Sequence, residues 1–367
     1  MGFRQSAMES LARQSGLIKV LDYYKGKRVF ITGHTGFKGS WLSRILLNAG
    51  AEVFGYALEP ETEPALFDIL GLKNDISSVI GDIRDLHALE KAMASADPEI
   101  VFHMAAQPIV RTGYDDPVNT YDVNIMGTVN LLETARKLNN LISLVNVTTD
   151  KVYENKEQQK GYVETDSLCG SDPYSNSKSC SELVTYAYRK SFFSSAGAPA
   201  LSTARSGNVI GGGDFADFRI IPDCVRAALE GTSVVIRNPE SIRPYQHVLD
   251  CLSGYLLLAK MQADCPALAD CYNFGPADTD SITTEALVKL FCEAWGEGSS
   301  YAAKHDGGPT ETNFLKLDIN KSKTILGWIP TWDIKTAVIK VSEWEKARIA
   351  GEEVATTDSQ IMEFFNG

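Results

Sequence analysis

The chain has 367 residues, 44% hydrophobic and 22% charged, with 47 acidic against 35 basic side chains and a formal net charge of −12. That is enough chain to bury a sizeable core in one or two lobes, in the composition of an ordinary globular protein, and no run approaches the roughly 18 apolar residues of a membrane span. The acidic balance argues against a nucleic-acid partner, although local positive charge can still hold an anionic small molecule.

Residues 1–25 lack the continuous apolar stretch and small-residue cleavage site of a secretory signal, so the expectation is a soluble, cytoplasmic protein with an N-terminal extension of no assigned role. Strand-like and helix-like patterns then alternate. Arg28–Thr32 has the pattern of a buried strand, a glycine turn follows, and Trp41, Leu42, Ile45 and Leu46 recur at helical spacing until Gly50. Glu52–Tyr56 is the second strand, and further strands are expected at Ser78–Ile80, Ile100–Met104 and Leu144–Thr148. Helices are expected near Leu86–Ala94, Val118–Leu138 and Tyr174–Ser191. The alternation predicts α/β architecture with a Rossmann-like, doubly wound parallel sheet.

After about Val209 the character changes, from Gly211–Gly213 through strands at Ser233–Arg237 and Cys271–Phe274 and helices at Thr284–Trp295 and Ile334–Ala347. This predicts a smaller mixed α/β lobe over the sheet's carboxyl edge. The expected division is 1–25 extension, 26–209 dinucleotide-binding domain also receiving 244–262, 210–350 substrate lobe, and 351–367 a poorly ordered tail. The seven cysteines form no Cys-x-x-Cys pair, which argues against a disulfide framework and against a metal site; most are expected to be reduced and buried.

Gly33-x-x-Gly36-x-x-Gly39 lies between a buried strand and an amphipathic helix. A helix amino terminus offers free N–H groups and partial positive charge, and glycine lets a pyrophosphate approach the backbone. Asp82 follows the third strand, where its carboxylate could bond an adenine amino group, whereas Asp85 has an equal claim to be a helix cap. His103 is expected to be a packed strand residue. Glu59 stands near the end of the second strand, where an acidic residue holds ribose hydroxyls, or it is merely solvated; Lys38 would favour an additional phosphate. On balance the residues favour NAD.

Tyr174 and Lys178 are four apart and share one helix face. A lysine ammonium beside a phenol lowers its pKa, so the phenolate can accept a hydroxyl proton while hydride leaves to nicotinamide. Thr148, Thr149, Asp150 and Lys151 end the fifth strand at the edge where such sheets bind ligands, with Thr149 poised to bond a reacting hydroxyl.

These motifs, with Arg205-Ser-Gly-Asn208 and Arg243-Pro-Tyr245, resemble the extended short-chain dehydrogenase/reductase family, and within it the nucleotide-sugar 4,6-dehydratases, from Lys27 to about Ala347. Relatives of the dTDP and GDP types resemble the Thr-Asp-Lys triplet with Glu after the Asp or in its place, so Lys151 is a departure. The resemblance implies a tightly bound NAD, CDP-glucose as substrate, a 4-keto-6-deoxy sugar as product, a role in dideoxysugar and O-antigen polysaccharide synthesis, and a homodimer or tetramer. It implies cofactor contacts from Gly33, Thr35, Gly36, Phe37, Lys38, Gly39, Glu59, Asp82, Ile83, Ala105, Ala106, Gln107, Thr148, Tyr174 and Lys178. Substrate contacts are implied for Gln107, Thr149, Asn208, Arg219, Arg243 and Tyr245, the last by nucleoside stacking. Asp150 is implied as the acid for the departing 6-hydroxyl, with Lys151 either the base at carbon 5 or a charged stabiliser of the enolate. An epimerase would share the glycine turn, Tyr174 and Lys178 without needing Asp150, and a nicotinamide-sensing binding protein could share the fold.

Overall fold

The computed structural model describes residues 19–236, 238–303 and 314–366. Val29, Phe30 and Ile31 are fully buried in β1 (Arg28–Thr32), because helices cover both faces of the sheet it centres. β1 pairs in parallel with β2 (Glu52–Ala57) on one side and β4 (Ile100–His103) on the other, with Val29 opposite both Val53 and Ile100. β3 (Ser77–Ile80), β5 (Ser143–Val147), β6 (Ala200–Ser206) and β7 (Cys271–Phe274) complete seven parallel strands in the order β3-β2-β1-β4-β5-β6-β7. The chain reverses its winding between β1 and β4, which opens a crevice at the strands' carboxyl ends.

β6 has no counterpart among the expected strands. Apolar patterning could not reveal it, because Ser202, Thr203, Arg205 and Ser206 are all buried there as members of a polar network. β7, expected in the smaller lobe, is instead the edge strand of the large sheet, paired in parallel with β6. The helix expected over Val118–Leu138 runs from Pro117 to Ala135 and is widened by a π turn at Asp122–Met126. Within that turn the Asn124 side chain bonds both backbone groups of Gln107 and the Ser177 hydroxyl.

Helix Val248–Asp264 is buried along most of its length, with the Gln262 amide donating to Ser143 Oγ at 2.8 Å. A second apolar cluster, including Ile221, Val234, Ile236, Leu287, Phe291 and Val341, builds the lobe over the crevice. Its strands form two-stranded pairs: Ser233–Ile236 with Ser300–Ala303, and Ile242–Pro244 with Ser281–Thr283.

Both chain ends depart from expectation. Residues 19–24 are helical, and Tyr24 is buried with its hydroxyl donating to Leu256 O at 2.7 Å; residues 1–18 lie outside the described residues. Residues 351–367 were expected to be poorly ordered, yet Glu353–Asn366 is a helix that buries Ile361, Phe364 and Phe365 in the main core. Their i, i+3, i+4 spacing is that of an apolar helix stripe, and Arg44 clamps the outer face through Asp358 at 2.7 Å. The cysteines also differ from expectation. All seven are free, but only Cys224 and Cys251 are buried, whereas Cys169 and Cys265 are exposed in polar connections.

Candidate active site

A cleft of about 970 Å³ follows the carboxyl ends of the sheet beneath the smaller lobe. At one end it is bounded by the glycine turn. Gly33 has φ +77°, and a Cβ there would lie 2.7 Å from Ala105 N; at Gly39 a Cβ would stand 2.1 Å from Gly33 O. Only hydrogen at these two α-carbons lets the turn close against β4. Helix Phe37–Asn48 then starts with no side chain capping it, and Gly36, Phe37, Lys38 and Gly39 line the cleft. Thr35 Oγ1 donates to Leu58 O at 2.9 Å, tying the turn to the end of β2. His34 is buried beneath it against Ser78 Oγ at 2.7 Å, and burial pushes its imidazole down to about 4.

Beyond β2 and β3 the walls are Glu59, exposed at the mouth, with Asp82 and Ile83. Asp82 is engaged by Arg84 through both carboxylate oxygens, which holds its carboxyl below the ordinary range, and its carbonyl accepts from Tyr56 Oη at 2.9 Å. Asp85 caps its helix, its carboxylate accepting from Ala88 N at 3.0 Å. Lys38, weighed above as a holder of an extra ribose phosphate, turns the other way. Its ammonium lies 5.8 Å from the Tyr255 ring centroid, and burial lowers its pKa, as does Arg219, while Cys251, Asp150 and Asp214 oppose. Its charge is therefore directed to the catalytic end.

At that end β5 delivers Thr148, Thr149, Asp150 and Lys151, the last two opening a one-turn 3-10 helix (Asp150–Val152) capped by Thr149. Helix Pro173–Ser191 brings in Tyr174 and Lys178, and Asp172 caps its first turn at Ser175 N. Tyr174 is hydrogen-bonded to Thr149. Thr149 Oγ1 also lies 3.0 Å from Asp150 Oδ1, while Asp150 Oδ2 is buried without a hydrogen-bond partner among the described residues. Burial raises the Asp150 carboxyl above its ordinary value against the opposing Lys151, Thr149 and Arg243. A shift in this direction favours the protonated form that a proton donor needs.

Burial also sets the Tyr174 and Lys178 pKa values. The phenol is pushed up to about 12, with Thr149 and Arg219 opposing and Asp150 and Asp172 adding. Lys178 was expected to be the cation that lowers it. Its ammonium reaches the sheet and donates to Val147 O at 3.3 Å, and the cation among the main influences on the phenol is Arg219. Lys178 itself is brought down to about 8 by burial and by Lys38, against Glu182.

Ala105 and Ala106 line the cleft as expected, but Gln107 does not. Its amide nitrogen donates to Thr120 Oγ1 at 2.8 Å and its oxygen accepts from Ile109 N at 2.6 Å, so both ends are committed to holding the local backbone. Asn208, Arg219 and Arg243 line the substrate side, with Arg219 paired to Asp214 at 3.0 Å. Tyr245 reaches the same wall but is only 2% exposed and belongs to the lobe's apolar cluster, its hydroxyl 3.2 Å from Thr284 Oγ1. It has no open face for stacking a base. Sequence reasoning missed Glu182 and gave Arg205 no role, yet they form a buried pair at 2.8 Å directly behind Thr148; an acidic residue at i+4 from Lys178 was the available signal. Among the described residues no group of His, Cys, Asp and Glu could hold a metal ion, and no helix is long and apolar enough to cross a membrane.

The reversal of strand order, the glycine turn and the buried Tyr and Lys together define a dinucleotide-binding α/β protein of the extended short-chain dehydrogenase/reductase type. Residues 30–341 match the model of the GDP-mannose 4,6 dehydratase family, and the chain belongs to that family. It is 47% identical to the CDP-glucose 4,6-dehydratase of Salmonella typhimurium over 91% of this chain and 94% of that protein. Identity to dTDP-glucose 4,6-dehydratase 1 of Escherichia coli is 26% over 86% and 92%. Among solved structures, UDP-glucuronic acid 4-epimerase from Bacillus cereus, in complex with UDP-glucuronic acid and NAD, shares the fold at a TM-score of 0.75 and 22% identity, over 87% of this chain and 99% of that one. The dTDP-glucose 4,6-dehydratase of Bacillus anthracis in complex with NAD does so at 0.72 and 22%, over 88% and 97%.

Proposed function

We propose that the chain removes water from CDP-glucose, oxidising carbon 4 and deoxygenating carbon 6, to release CDP-4-keto-6-deoxyglucose. The observation that carries this reading is Asp150: a buried carboxyl raised above its ordinary value beside Thr149 and Tyr174 serves an elimination, whereas an epimerase needs no acid there. The 47% identity to the Salmonella CDP-glucose 4,6-dehydratase supports the choice of substrate. NAD fits the glycine cradle, where a Cβ at either Gly33 or Gly39 would collide with backbone, and Gly33, Thr35, Gly36, Phe37, Gly39, Glu59, Asp82 and Ile83 would hold it. When bound, it supplies the electron acceptor for carbon 4 and the donor for carbon 6.

The residues divide the proton transfers. Tyr174 takes the proton of the 4-hydroxyl, which Thr149 orients; Arg219 and the Thr149 bond already oppose the burial that raises the phenol. The ketone acidifies the hydrogen on carbon 5; Lys151, next to Asp150 on the cleft wall, removes it and gives a proton back to carbon 5 once carbon 6 has received hydride. Asp150 protonates the 6-hydroxyl as it departs as water. Arg219 and Arg243 supply charge suited to the diphosphate.

The test is incubation with CDP-glucose and NAD, read by the alkaline absorbance of a 4-keto-6-deoxy sugar. Turnover only of dTDP-, GDP- or UDP-sugars overturns the substrate, and turnover of none of them leaves a dinucleotide-binding protein. Lys151→Met should abolish solvent deuterium entry at carbon 5; undiminished entry rejects Lys151 as the base. We place the protein in the cytoplasm, serving dideoxysugar and surface-polysaccharide synthesis. We propose a homodimer through the exposed Val118, Met126, Leu183 and Tyr186.

A further inference from the structure

Glu182 lies one turn beyond Lys178 and two beyond Tyr174 on a single helix face, yet it does not line the cleft. It is 4% exposed, and its carboxylate accepts from Thr148 Oγ1 at 2.5 Å, Thr203 Oγ1 at 2.7 Å, and Arg205 Nε and Nη2 at 2.9 and 2.8 Å. Arg205, 2% exposed, uses its remaining nitrogen on Tyr153 Oη at 2.8 Å, and its guanidinium lies 5.1 Å from the Tyr153 ring centroid. Tyr153 Oη in turn donates to Asn273 Oδ1 at 2.7 Å on β7. The ion pair thus grips the chain at Thr148 and again at Tyr153.

Between those two residues stand Thr149, Asp150 and Lys151. The turn they form has few ties of its own: Thr149 Oγ1 meets Lys151 N at 3.4 Å and Asp150 Oδ1 at 3.0 Å, Asp150 Oδ2 has no partner among the described residues, and the outside ties are Tyr174 to Thr149 and, at Val152 O, Ser179 Oγ at 2.8 Å and Cys169 N at 3.0 Å. A buried ion pair is seldom worth more to stability than apolar residues of equal volume, so a fully bonded one directly behind reacting groups calls for another reason. Rigid support of reacting side chains is such a reason, because a displacement of about 1 Å can cost on the order of a hundredfold in rate.

We infer that the Glu182–Arg205 pair is a positioning clamp for the catalytic turn, fixing Thr148 and Tyr153 so that Thr149, Asp150 and Lys151 meet the sugar in register. The clamp's effect on turnover rests on the dehydratase reading above; its effect on the backbone does not.

Removing either charge would leave the other buried and endanger the fold, so the test deletes the two grips instead. Thr148→Val and Tyr153→Phe are each compared with wild type by steady-state kinetics on CDP-glucose and by amide hydrogen exchange. The expected result is kcat lower by roughly tenfold to a hundredfold with KM within about twofold, and faster exchange confined to residues 148–153. Unchanged exchange in that segment overturns the clamp whatever the activity. Faster exchange with kcat within about twofold of wild type overturns its positioning role. Faster exchange in a protein whose wild type does not turn over CDP-glucose upholds the clamp and rejects the substrate instead.

Discussion

At the nucleotide end of the cleft the wall is largely backbone, and at the catalytic end it is largely side chain. Gly33 and Gly39 work by having nothing on the α-carbon, and the acidic groups nearby, Glu59 and the Arg84-paired Asp82, stay partly in water. Thr149, Asp150, Tyr174 and Lys178 are instead 7%, 1%, 9% and 6% exposed, and burial is the first cause that shifts the pKa values of the last three. A cofactor that stays bound needs close approach and many weak contacts. A group that must exchange a proton needs a dry environment with a defined neighbour.

The largest effect that could break this comparison is at Asp150. Asp150→Asn keeps the shape but not the transferable proton, and kcat should fall by roughly 10²–10⁴ with NAD content unchanged; equal loss of cofactor would show that the two ends are not separable. Gly39→Ala should do the reverse. Its Cβ meets Gly33 O at 2.1 Å, so the turn must open, at about 1–3 kcal/mol by analogy with overpacking, with NAD retention lost while Tyr174 and Lys178 keep their environment. Retention of NAD through gel filtration would contradict that account.

The smallest effect sharpens the comparison by showing where the two ends behave alike. His34 lies under the glycine turn and His103, bonded to Thr32 Oγ1 at 2.7 Å, lies under the catalytic helix; burial holds them down to about 4 and about 3. Both are neutral in the fold, so the unfolded chain binds protons first as pH drops. Stability is unaffected above about pH 6.5 and falls below it, down to the folded values, by about 1.4 kcal/mol per histidine at about pH 5.5. Urea unfolding of wild type and His103→Asn at about pH 7.5 and about pH 5.5 should show the variant losing less on acidification by about 1.4 kcal/mol.

The expected strands β1, β2, β3, β4, β5 and β7 all form, each carrying apolar residues that outweigh the buried polar ones such as Asn146, and the glycine turn and the Tyr174 and Lys178 pair are legible through spacing together with their place in that alternation. β6 was illegible because four of its seven buried residues are polar and bonded sideways to Glu182, Gln262 and Tyr255, partners 21 to 60 residues away. The C-terminal helix, expected to be a poorly ordered tail, starts two residues after Gly351 ends the preceding helix, and the spacing of Ile361, Phe364 and Phe365 was the signal that it packs.

Sequence by itself determined the class of fold, the dinucleotide turn and the candidates for the reacting groups, because these rest on local periodicity and on side-chain chemistry that needs no partner. Only the tertiary structure decided their directions. It sends Lys38 to the catalytic end, spends Gln107 on the backbone, buries Tyr245 within the lobe and sets the Glu182–Arg205 pair behind Thr148. The physical reason is the same in each case: a polar side chain inside a protein points toward whichever distant group can satisfy it, and that group is chosen by packing rather than by neighbours in the chain.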